Sequence, residues 1–200
     1  MSNKPPSYAR LRQYFHVGRY SQYSANSNFT DMFEEDDNDE IAIENAHPIA
    51  QQLMKDEFFY SVADEHAPFG NDDGWEVLYS LKEWMPENEG VSKKQFIDWK
   101  LAAWSYPSFN YLTTDLEEGR AFAENGEIGL RLLMGIDQAI IATAFGQLYL
   151  EGKIDSDLNT IVETVIRRQL SNHFIEMWGE HQSDRTEKLQ KMLQVLLSAR

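Results

Sequence analysis

The 200-residue chain contains no cysteine. Disulfides, thiolate metal ligands and a cysteine nucleophile are therefore excluded. Bases are scarce: 18 Lys and Arg stand against 33 Asp and Glu, a net charge of −15. That balance disfavours direct contact with nucleic acid or an anionic membrane, since both are negatively charged. Signature motifs are missing too. There is no glycine-rich phosphate loop, dinucleotide fingerprint, G-x-S-x-G or H-E-x-x-H, so no reaction class is indicated and no cofactor is expected. The start, Met1 to Phe15, carries Lys4, Arg10 and Arg12 without the apolar run of a secretory signal. The expectation is a bacterial cytoplasmic protein that binds a partner, with a metal-binding protein or metal-dependent enzyme as the alternative.

Long apolar runs are absent except for Ile128 to Leu150, whose only charges are Arg131 and Asp137. Its length suits a membrane span. Arg131, Asp137, Gln138 and Gln147 argue against one, because charged and polar groups at bilayer depth are costly. A helix apolar on nearly every side belongs inside a fold, and Gly129, Gly135 and Gly146 would let neighbours approach it closely. The remaining pattern supplies those neighbours. Pro48 suits a first helical position, followed by Ile49, Leu53 and Met54. Asn71 or Asp72 caps a helix carrying Trp75, Leu78, Leu81 and Trp84. Ser92 and Gln95 form a capping box before Phe96, Trp99 and Trp104. Thr114 is the candidate cap of a helix through Asp115–Glu118, the alternative being a segment that wraps loosely. Leu158, Ile161, Val162, Val165 and Ile166 make a stripe read as continuing toward Trp178. Asp184 and Glu187 form a second box before Leu189, Met192 and Leu196. The fold class is mainly α: a single-domain bundle of about six helices around the central helix 128–150. A short β element near Tyr14–Val17 is the one strand the pattern admits.

Charge divides the chain. Residues 1–30 hold Lys4, Arg10, Arg12 and Arg19, no acid, and six aromatics from Tyr8 to Phe29. They form a basic aromatic N-terminal arm. Residues 31–200 form an acidic helical domain. The arm pairs with that domain in cis, or it grips a partner.

Two stretches are candidate partner-binding surfaces. One is the acidic run with Glu34, Glu35, Asp36, Asp37 and Asp39, which reads plainly as a solvated loop and more sharply as a dock for a cationic protein. It lacks the glycine and distal glutamate of a calcium loop. The other is the turn Asp64–Glu76, rich in Pro, Gly, Asn and acids, contributing Asp72, Asp73 and Glu76. Helix capping accounts for most of it. The alternative is a metal site built from His47, His66, Asp64 and Asp72, because imidazole and carboxylate suit a borderline or hard cation. Asp137 in the central helix requires a partner from another helix, Arg167 or Arg168. His173 and His181 read as surface histidines.

His47-Pro48-Ile49-Ala50, Leu53, Asp64-Glu65 and Ala67 through Gly74 together resemble a pattern in uncharacterised bacterial proteins, which implies no activity. In size, acidity and tryptophan content the chain is similar in type to immunity proteins that neutralise bacterial toxins. That resemblance implies an inhibitor whose acidic surface covers a basic toxin or nuclease domain.

Overall fold

The computed structural model describes residues 41–200. The arm, the strand expected near Tyr14–Val17 and the acidic run of Glu34, Glu35, Asp36, Asp37 and Asp39 lie outside the described residues. The described residues form a helical bundle without strands. Six helices have eight residues or more: α2 (Asp72–Glu87), α3 (Lys93–Ala103), α4 (Leu116–Ala123), α5 (Gly129–Glu151), α6 (Ser156–Gln169) and α8 (Gln182–Ser198). Two are short, α1 (Pro48–Leu53) and α7 (Asn172–Ile175), and 3-10 turns occupy Ile43–Asn45, Glu57–Tyr60 and Glu176–His181.

The central helix is α5. It touches α1, α2, α3, α4 and α6, while α8 lies outside, packed on α6. From Leu133 to Tyr149 every residue is buried. It is long and apolar enough to cross a membrane, yet 94% of its most apolar window is covered by the rest of the fold. Phe69, Leu78, Leu81, Phe96, Phe145 and Ile140 are among the largest fully enclosed side chains. Burying each such group is worth roughly 1.5–3 kcal/mol. Gly146 permits one close approach. A Cβ there would lie 3.0 Å from Leu81 and 3.1 Å from Leu78, so α2 rests on α5 where the side chain is missing.

Local signals act largely as read. The Asn71 carboxamide accepts from Gly74 N–H at 2.9 Å, and the Ser92 hydroxyl accepts from Lys94 N–H. Three boundaries differ. Asp115, not Thr114, caps α4, accepting from Glu117 N–H. The stripe of α6 stops at Gln169, where the Ser171 hydroxyl donates to Arg168 O at 2.7 Å and closes the last turn. The chain then bends through α7 to Gly179 (φ 57°, ψ −121°), a conformation that favours glycine. Finally, α8 starts at Gln182, so Asp184 lies inside its first turn rather than capping it.

Candidate functional site

The turn before α2 is built from its own side chains. Asp64 Oδ1 accepts from His66 N–H at 2.9 Å, and the Ser61 hydroxyl accepts from Asp64 N–H at 3.0 Å. Gly70 lies so close to the Asp64 carbonyl that a Cβ would be 1.7 Å from it. Gln138 of α5 then donates to the carbonyls of Ala67 and Pro68 at 3.2 and 2.7 Å. The turn is therefore fastened to the core along its length.

Beneath it runs a line of buried polar groups. Arg168 of α6 donates to Asp137 of α5 at 2.5 Å, and Gln169 donates to the other carboxylate oxygen at 3.3 Å. Arg185 of α8 donates to the Gln169 side-chain oxygen and to the His66 carbonyl. The Arg185 guanidinium also lies 4.8 Å from the Trp178 ring. His66 ends the line, with Nε2 3.3 Å from the Asp184 carboxylate and its ring 4.9 Å from that of Trp178. Burial, and then the Arg185 charge, hold the His66 imidazole down at about 4, against the pull of Asp64, Asp184 and Glu65. It is neutral at pH 7. For Asp137, complete burial pushes the carboxyl up and the Arg168 charge pulls it down. The line ties α5, α6 and α8 to the turn, which is a structural task.

The surface of α2 and α3 has a different character. Asp72, Trp75, Glu76, Tyr79 and Glu83 recur every three or four residues, so they share the outer face of α2. Trp75 is 43% exposed and packs on Tyr79, with ring centroids 4.2 Å apart and the ring planes tilted by 37°. On α3, Trp99 is 49% exposed. Between the helices the buried Lys100 ammonium donates to Glu76 at 2.9 Å and Ser80 at 2.6 Å. It lies 5.2 Å from the Trp104 ring and 5.9 Å from that of Trp99. The Trp104 indole donates to Glu76 as well, at 2.8 Å. The result is a face that carries aromatic area and carboxylates together, with the Lys82 ammonium 5.2 Å from the Tyr79 ring.

The structure separates the residues singled out from sequence. Asp72 is exposed and Glu76 half-exposed on this face. Asp73 is buried and turned inward, 2.6 Å from Arg131, so it is a strut and not a surface contact. His47 accepts from Ile49 N–H through Nδ1 and packs against Gly152 at the far end of α5. The carbonyls beside His66 meet α5 at Gln138, fourteen residues earlier, or about 20 Å along the axis. His47 and His66 are thus held apart. No group of three His, Asp or Glu side chains able to hold a metal ion occurs among the described residues.

No family model matches the chain, and no solved structure matches it. Among curated proteins, Uncharacterized protein YfeS of Escherichia coli (strain K12) is 26% identical over 174 residues, covering 83% of this chain and 67% of that protein. The chain is similar to an uncharacterised bacterial protein, and that relative's name assigns no activity to carry across.

Proposed function

We propose that the protein is a partner-binding inhibitor of the immunity type, which engages a basic protein domain through the outer face of α2 and α3. The observation that carries this reading is the exposed Trp75, packed tilted against Tyr79 and flanked by Asp72 and Glu76. Aromatic anchors in fixed positions supply most of the free energy of an interface. Carboxylates around them steer a cationic partner and reject anionic ones. The net charge of −15 favours the same class of partner. The acidic run of Glu34, Glu35, Asp36, Asp37 and Asp39 adds to the steering field. A toxin domain, in particular a nuclease with a basic active-site cleft, has the required chemistry.

The test is a comparison of affinity for captured basic proteins at low and moderate salt. Trp75→Ala should weaken the complex at least tenfold through faster dissociation. Charge reversal at Glu34–Asp39 and Asp72 should slow association and flatten the salt dependence. Unchanged affinity in both variants for every captured protein rules the reading out.

A further inference from the structure

His66 stands where the turn before α2 meets the start of α8, and it is 5% exposed. Its Nε2 lies 3.3 Å from the Asp184 carboxylate, which places the ring proton on that nitrogen. Its Nδ1 is buried with no hydrogen-bond partner among the described residues. A second proton would therefore sit on a buried nitrogen with nothing to accept it. The charges around the ring do not compensate. Asp64 and Glu65 of the turn and Asp184 of α8 draw the proton on. Burial and Arg185 drive it off and prevail, leaving the imidazole at about 4 against an ordinary 6.5. Lys188 stands 3.7 Å from Asp64 and offsets part of its pull. Behind Arg185, Gln169 is uncharged and Arg168 is bonded to Asp137. In the 3-10 turn Glu180 and His181 lie 3.6 Å apart, and Glu176 is exposed.

We propose that His66 is an acid latch: its protonation releases residues 176–188 from the turn and uncovers Trp178, while α5 stays folded. The segment is built to open first. α8 starts without a side-chain cap, and Gly179 (φ 57°) breaks the helical path from α7, so the first turns of α8 can unwind alone. Firm apolar anchoring begins at Leu189, followed by Met192 and Leu196, each at most 1% exposed. Before Leu189 the holding contacts are largely polar: Arg185 to Gln169 and to the His66 carbonyl, and Lys188 to Asp64. Met177 and Trp178 add a smaller apolar cluster with Leu130, Leu133, Met134 and Phe174. Gln138 fastens the turn to α5, so the α8 side is the one that moves. Opening gives both imidazole nitrogens to water, and the proton then stabilises the open form. Below about pH 6 an apolar patch of Met177 and Trp178, covered at neutral pH, becomes available. The latch goes beyond the proposed function and requires no partner.

Amide hydrogen exchange of the full chain at pH 7.5 and 5.0, corrected for intrinsic rates, tests the latch. The opening constant of amides in residues 182–188 should exceed that of the α5 amides at both values. It should rise about 30-fold at pH 5.0, the ratio that follows from 6.5 in the open form and about 4 in the closed one. In His66→Gln the rise should vanish. An opening shared with α5, a rise below about tenfold, or an equal rise in the variant would overturn the proposal. Where His66→Gln fails to fold, the imidazole nitrogen shifts of the unaltered protein decide. A neutral ring with its proton on Nε2 down to about pH 5 is expected. A ring that titrates near its ordinary 6.5 while the amides of 182–188 stay protected would overturn the latch equally. Neither readout involves a basic partner, so the latch and the proposed function stand or fall separately.

Discussion

Arg168 and Asp137 meet at 2.5 Å with their side chains 2% and 0% exposed, and the Arg168 guanidinium also reaches the carbonyls of Tyr111 and Thr113 at 3.4 Å. Such a pair is costly to break from one side, because the surviving charge has no water to turn to. Asp137→Asn should lower stability by about 3–5 kcal/mol. The joint replacement Asp137→Leu with Arg168→Met should recover part of that loss. It cannot recover all of it, since two carbonyls lose their donor. Urea midpoints at constant slope measure both. A loss below about 1 kcal/mol for Asp137→Asn would mean that the carboxyl is already neutral in the fold.

His66 makes stability depend on pH in one direction. Its folded value of about 4 lies below the ordinary 6.5, so the unfolded chain takes up the proton first. The contribution is complete above pH 6.5 and is lost as pH falls toward 4. The shift corresponds to a loss of up to about 3 kcal/mol, of which about 2 kcal/mol appears by pH 5. Urea unfolding at pH 7.5 and 5.0 should show this difference, and His66→Gln should remove most of it. An equal slope in the variant would place the dependence on other groups.

The sequence made the central helix and the partner of Asp137 legible for a shared reason. In α6 the apolar positions Leu158, Ile161, Val162 and Val165 set a face, and three residues beyond Val165 that face holds Arg168. The same logic points to Arg185, four residues before Leu189 and seven before Met192, and to Lys100, four residues after Phe96. Those two bases were not singled out from sequence, although the stripe carried them inward. Asp73 illustrates the opposite limit. Its place in the first turn of α2 suits the helix dipole whether it faces in or out, so only tertiary structure reveals the bond to Arg131. The separation of His47 from His66 was equally hidden. It depends on where the intervening chain meets α5, which no local pattern encodes.

Lys100 is a cation that holds α2 to α3. Its stem packs in the interface, and its ammonium bonds Glu76 and Ser80 beside the Trp104 ring. Lys100→Met keeps the stem and the indole bond to Glu76, so the cost should be modest, about 1–2 kcal/mol. Lys100→Glu places a second carboxylate against Glu76 in a buried position and should cost well over 3 kcal/mol. Chemical denaturation of the two variants orders them. Similar losses would show that the ammonium contributes nothing beyond the volume of its stem.

Gly152 ends α5 in the left-handed region at φ 70°, its N–H donating to Leu148 O. A Cβ there would sit 2.0 Å from His47 Nδ1, so the residue is constrained twice, by its backbone angle and by the imidazole. Gly90 and Gly126 have similar angles, 76° and 72°, with nothing within 4 Å of the missing Cβ. These three positions separate the two effects. Gly90→Ala and Gly126→Ala should cost about 1 kcal/mol each, the backbone part alone. Gly152→Ala should cost about 2–4 kcal/mol, because it adds a steric clash. His47→Ala by itself should cost about 1 kcal/mol, through loss of the bond that caps α1 at Ile49. Combined with Gly152→Ala it should relieve the clash, making the double variant more stable than the sum of the singles by at least about 1 kcal/mol. Strict additivity in that cycle would show that the ring turns aside freely, and that His47 is not wedged against the end of the central helix.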